Sequence, residues 1–226
     1  MAGVLVVVAI AILFSSLPEI KPSEANAEAG ESASIGKQSV FQFPHLWLGV
    51  LCLFVYVGVE VLAGDAIGTY GNGFGLPLDQ TKFFTSFTLG AMLLGYLAGL
   101  VAIPRFVSQE RYLSISAVLG VVFALAAFFT KGYVSVGFVA ALGFANAMMW
   151  PAIFPLAIKG LGQFTETGSA LLVMGIAGGA IIPQLFAVLK QHHDFQLVFV
   201  ALAVPCYLYI LFFARYGHRF GKAPRA

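Results

Sequence analysis

Hydrophobic positions along the chain fall into long uninterrupted runs rather than a period-two alternation, which predicts membrane-spanning helices and argues against strands. A bilayer crossing takes roughly 20 mostly apolar residues. Six runs meet that length, at residues 44–69, 80–104, 111–130, 132–158, 168–189 and 195–214. A shorter apolar run opens the chain at 2–17. Between it and the first full run lies a polar linker, 18–43, rich in Ser, Ala and Glu, whose composition predicts disorder. The connections after the second run are short, and the longest is the polar loop that begins at Lys159. The expected architecture is an all-α membrane protein. It has part of one helix at 1–17, a linker at 18–43, a six-helix bundle at 44–215 and a basic tail at 216–226.

The opening run has two readings. Ala25-Asn26-Ala27 resembles a signal-peptide cleavage site, but no Lys or Arg precedes the apolar stretch, which favours the end of a transmembrane helix.

Composition agrees with the pattern. Apolar residues make up 60% of the chain and charged residues 10%, against about 25% charged in a soluble domain. Lipid must therefore solvate much of the exterior. The net charge of +2 is too small to indicate a nucleic-acid partner. Cys52 and Cys206 sit singly inside apolar runs, and no His/Cys cluster has metal spacing, so neither a metal nor a cofactor is expected. Charge placement sets the orientation. With the linker in the cytoplasm, Lys21, Lys37, Arg105, Arg111, Lys159, Arg215, Arg219, Lys222 and Arg225 face inward, while Lys82, Lys131 and Lys190 face outward. That bias follows the positive-inside tendency and places the C-terminus in the cytoplasm.

A short internal echo accompanies the helices. Residues 99–106 (GLVAIPRF) resemble 178–186 (GGAIIPQLF), and both carry Ile-Pro at a spacing of 79 residues. Three helices cover about that distance and three crossings invert topology, the form of inverted three-helix repeats in transporters.

Glu60 stands out among the residues that carry chemistry, since it lies near the middle of the first full run. A carboxylate at that depth is costly to insert and usually faces a cavity or an internal partner. Tyr56 shares its helical face four residues earlier, and Gly64 continues the stripe. A carboxylate and a phenol suit a sugar, because both hydrogen-bond hydroxyls while the ring stacks on an apolar sugar face. Asp65 is placed nearer the outer interface, in a vestibule, capping or proton-linked role. Asn146 and Trp150 form a second pair at helical spacing, next to Pro151, which removes a backbone hydrogen bond and invites a kink. Gln184, just after Pro183, is a further candidate contact. Thr81, Thr85 and Thr88 form a polar stripe that serves either a pore or interhelical bonding, and 175–180 is a small-residue packing face. His192 and His193 cannot share a helix face and have no third ligand, while His45 and His218 read as interfacial. No nucleophile elbow, phosphate loop or metalloprotease motif is present, so an enzyme is not expected.

Two stretches carry a family resemblance: residues 56–60 (YVGVE), and 150–163 (WPAIFPLAIKGLGQ) continuing through 167–170 (TGSA). They resemble the fucose/glucose/galactose permeases of the major facilitator superfamily. The first is similar to the opening helix of the C-terminal half. The second is similar to the tenth helix, its cytoplasmic loop and the start of the eleventh. Glu60 resembles the glucose/galactose branch, since fucose-type members tend to carry an amide there. The resemblance covers the chain from about residue 43 onward. It implies proton-coupled monosaccharide uptake by alternating access in a bacterial inner membrane, with this chain as a six-helix C-terminal half-bundle of two inverted three-helix repeats. The opening run would correspond to helix six. On that reading the chain is a half or truncated permease needing an N-terminal half-transporter chain, and the sugar site lies between the halves. Two other readings stand beside it: a permease for another small neutral solute, and a non-transporting membrane subunit or decayed fragment.

Overall fold

A computed structural model describes residues 39–221, and the expected segment 1–17, the linker up to residue 38 and the basic tail beyond 221 lie outside the described residues. Among the described residues the chain is helical, without strands. The helices are α1 (Pro44–Gly64), α2 (Ile67–Asn72), α3 (Leu78–Thr81), α4 (Phe84–Arg105), α5 (Gln109–Phe129), α6 (Gly132–Asn146), α7 (Met149–Ile158), α8 (Thr165–Met174), α9 (Gly178–Leu189) and α10 (Phe195–Arg215). They compose six spans long and apolar enough to cross a membrane, each 21 to 28 residues. At 1.5 Å per residue, about 20 residues cover the ~30 Å hydrocarbon core.

Their ends follow local chemistry. Pro44 sits in the first turn of α1, where its missing N–H costs nothing. The Ser108 hydroxyl accepts from the Arg111 N–H at 3.4 Å to start α5, and Asp194 accepts from the Leu197 N–H at 2.9 Å to start α10. Both are side-chain N-caps that satisfy donors the helix leaves open.

Three of the apolar runs are broken, and the sequence predicts only the break beside Pro151. The run at 132–158 divides after Asn146 into α6 and α7. Pro151 has no N–H to offer the Ala147 carbonyl four residues back, so the turn opens there. The ladder resumes with Ala152 N–H donating to the Met148 carbonyl at 3.2 Å. In the fifth span a 3-10 turn, Gly175–Ala177, separates α8 from α9, and that span begins at Gly162 rather than 168, shortening the loop after Lys159. The run at 44–69 ends as α1 at Gly64 and restarts as α2 after Asp65 and Ala66. At that break Thr85 donates to the Gly64 carbonyl at 2.9 Å and Thr88 to the Ala63 carbonyl at 3.2 Å. The second span therefore satisfies the carbonyls released where α1 stops.

Packing follows a pseudo-twofold plan. The most extensive contacts are α5 with α10, α4 with α6, α9 with α1 and α5 with α6. Exchanging the first three spans for the last three maps the α9–α1 contact onto the α4–α6 contact and α5–α10 onto itself. Glycines make these matching crossings close. A Cβ on Gly95 would meet the Phe144 carbonyl at 2.6 Å, and one on Gly178 would run into the Phe54 carbonyl. The first and fourth spans are the central ones, 56% and 61% buried, whereas the second and fifth are only 17% and 28% buried. Those two present long apolar faces, with Leu93, Leu94 and Leu100 on α4 and Met174 and Ile181 on the fifth span all exposed.

Candidate functional site

α1 is the central helix that positions the carboxylate. Its turn geometry stacks residues four apart, and the Tyr56 hydroxyl donates to Glu60 Oε1 at 2.7 Å. Tyr56 is fully buried and Glu60 half-buried. Packing fixes this face: α9 lies so close that a Cβ on Gly179 would touch Val57 and Val61 at 3.0 Å. Tyr96 of α4 and Tyr207 of α10 both lie within electrostatic reach of the Glu60 charge. Among the described residues the ion pairs are Lys82 with Asp79 and His218 with Glu110. Neither involves Glu60, so phenols rather than cations surround it.

Asn146, the last residue of α6, is wholly buried, and the Tyr207 hydroxyl donates to its Oδ1 at 2.9 Å. Its Nδ2 has no hydrogen-bond partner. The phenol engages one end of the amide and leaves the other, buried end unpaired. Tyr207 is held by its own packing, since its ring fills the space a Cβ on Gly120 of α5 would take, at 2.5 Å. Tyr207 is a residue that sequence reasoning missed. A lone tyrosine in an apolar run gives no periodic signal.

The other candidates are placed separately. Trp150 is half-buried and stacks with Phe154 across 6.4 Å and 12°. The break after Asn146 puts it on a different helix from Asn146. Gln184 is exposed on α9. Asp65 caps α1, its N–H donating to the Val61 carbonyl at 2.8 Å, and lines a surface pocket with Thr69, Asn72, Lys82, Thr85 and Lys190. Thr85 and Thr88 bond across to the end of α1.

Two further polar clusters were not legible in the sequence. Gln196 donates to the Ala127 and Thr130 carbonyls at 2.9 and 2.8 Å, beside a 2.7 Å bond between Tyr70 and Ser135. This cluster joins α2, α5, α6 and α10. At the opposite end His45 and His218, expected at the interface, are buried. His45 Nε2 lies 3.2 Å from the Lys159 carbonyl and His218 Nδ1 3.0 Å from that of Phe213. Among the described residues no group of His, Cys, Asp and Glu could hold a metal ion, and both cysteines are free.

No protein-family model matches the chain. A glucose/galactose transporter of Brucella abortus is 30% identical over 213 residues, covering 93% of this chain and 50% of the transporter. The L-fucose-proton symporter of Escherichia coli is 26% identical over 220 residues, covering 95% of this chain and 49% of the symporter. The crystal structure of the major facilitator superfamily transporter FucP in its outward conformation superposes with a TM-score of 0.77 at 25% identity, covering 95% of this chain and 52% of FucP. The chain thus spans about half the length of the curated relatives it matches, and those relatives are transporters rather than enzymes. It is a multi-pass membrane protein, a six-helix half-bundle of the major facilitator fold, homologous to the C-terminal half of the bacterial glucose/galactose transporters and L-fucose-proton symporters.

Proposed function

We propose that this chain forms one wall of a proton-coupled monosaccharide permease and carries glucose, galactose or fucose across a bacterial inner membrane by alternating access. The observation that carries this reading is the Tyr56–Glu60 pair on the central helix of a bundle whose relatives are named for these sugars. The carboxylate accepts hydrogen bonds from sugar hydroxyls, and Tyr56 holds it in position. Trp150 supplies an aromatic face for stacking, and the free amide end of Asn146 supplies a donor at the α6–α7 hinge. Gln184 adds an amide on the fifth span, and Asp65 stands in the outer vestibule. The weakly buried faces of α4 and the fifth span suit a second six-helix half, and the sugar path runs between the two. Arg105, Arg111, Lys159, Arg215 and Arg219 lie at the end of the bundle where α1 begins, which supports a cytoplasmic C-terminus.

The test is uptake of labelled glucose, galactose and fucose in transporter-deficient cells. It compares this chain alone with the chain co-expressed with the N-terminal half of a related permease. Saturable uptake of one sugar by the co-expressing cells is expected. Uptake of an unrelated neutral solute instead would move the substrate class. No transport despite correct insertion would leave a non-transporting membrane subunit as the better account.

A further inference from the structure

At the end of the bundle where α1 begins, the start of α5 and the end of α10 line an open groove of about 710 Å³. Three arginines converge on it: Arg111 from α5, Arg215 from the last turn of α10 and Arg219 just beyond that helix. Among the described residues lining it, Glu110 is the only acid, so three positive charges meet one negative and leave an excess of two. No ion pair among the described residues engages any of the three arginines. Glu110 Oε1 instead lies 3.7 Å from Nε2 of the buried His218, and Arg219 uses only its Nε–H on that same nitrogen, at 3.2 Å. The Ser108 hydroxyl accepts from the Arg111 N–H and keeps its own proton to donate.

The groove gives onto apolar surface. On α5, Arg111 begins a row at alternating four- and three-residue spacing, Ile115, Val118, Val122 and Leu125, every member of which is exposed. On α10, Arg215 ends a matching exposed row that passes through Leu208 and Phe212. These two helices make the most extensive contact in the bundle, so both rows lead from one groove into the hydrocarbon layer. Tyr216, exposed beside Arg215, is an aromatic at the level where such rings anchor a protein in the membrane interface. α5 and α10 are not the two spans whose faces suit a complementary half, so this surface meets lipid.

We propose that the groove binds the headgroup of an anionic phospholipid, with its phosphate between Arg111, Arg215 and Arg219 and its acyl chains along the two apolar rows. Guanidinium groups match phosphate oxygens in pairs of parallel hydrogen bonds. Basic grooves between transmembrane helices suit such headgroups for the same reason. A zwitterionic headgroup brings its own cation, which three arginines repel. A free phosphate satisfies the arginines but leaves the apolar rows unused. Charge and apolar surface together therefore select an anionic lipid. The site does not depend on the sugar reading, because it needs only a bundle that spans a membrane.

Native mass spectrometry of the whole chain in a neutral detergent tests this, with phosphatidylglycerol and phosphatidylcholine of identical acyl chains as competing probes. The unsubstituted chain should retain phosphatidylglycerol at least about twentyfold better. Arg111→Gln and Arg215→Gln should each lower that preference about fivefold, and the double variant should abolish it. Arg219 is left intact because it also holds His218. Arg105→Gln removes the same charge from the same end of the bundle but outside the groove, and should change the preference less than about twofold. No preference in the unsubstituted chain overturns the proposal. An equal loss in Arg105→Gln also overturns it, and assigns the preference to diffuse surface charge. Millimolar inorganic phosphate should not displace the bound lipid; if it does, a free anion is the guest and the lipid assignment fails. Should an arginine variant fail to fold, Ile115→Ser with Phe212→Ser carries the test. That pair should reduce retention of both lipids alike, and unchanged retention would show that the apolar rows hold no acyl chain.

Discussion

The hydroxyl of Tyr56 and the carboxylate of Glu60 are joined by a 2.7 Å hydrogen bond along one face of the bundle's central helix. A hydrogen bond to a charged group contributes about 1.5–3 kcal/mol. Tyr56→Phe keeps the ring and the packing and removes only the donor. It should leave insertion unchanged and weaken sugar affinity about tenfold, measured as the KM for exchange in the assembled transporter. An unchanged KM would mean that the pair is structural.

The Asn146–Tyr207 bond makes a separate prediction about stability. Tyr207→Phe strands a buried amide oxygen, at a cost of about 1–3 kcal/mol. The detergent-solubilised variant should melt measurably lower, and Asn146→Leu in addition should restore part of the loss. Strictly additive effects in the double variant would show that the two residues do not interact.

Close helix crossings predict a position-dependent tolerance of glycine substitution. Gly178→Val and Gly95→Val place side chains against the Phe54 and Phe144 carbonyls, and each should cost at least about 1–3 kcal/mol. Gly137→Val faces open space and should be near neutral. Equal yields of folded protein for all three would refute the crossing geometry.

Gln196 bridges α10 to the end of α5 through the Ala127 and Thr130 carbonyls. Gln196→Leu leaves both carbonyls without this donor and should lower thermal stability by about 1–3 kcal/mol. Sugar selectivity should not change, because the cluster lies away from Glu60. A shift in preferred sugar without loss of stability would assign Gln196 to the transport path instead.

Much of this molecule was legible in its hydrophobic pattern, and the reason is lipid. A helix in hydrocarbon must satisfy its own backbone and be apolar for most of its length, so each crossing appears as a run. Glu60 was legible for the same reason, as a costly exception. Pro151 announced the α6–α7 break because the missing donor is written in the residue type. The breaks near Gly64 and Gly175 carry no such mark. They depend on Thr85 reaching across from another helix and on α9 pressing against Phe54. Asn146 and Trp150 looked like one face only while the helix was assumed continuous. Tyr207 and Gln196 were invisible because their roles come from partners more than 60 residues away.

The central claim is that this half-bundle lines a sugar path at Glu60. The most direct measurement is counterflow of labelled galactose and glucose in cells co-expressing a complementary half, comparing the unsubstituted chain with Glu60→Ala at matched membrane levels. The account predicts saturable exchange that Glu60→Ala reduces at least about tenfold. Equal exchange by both would contradict it.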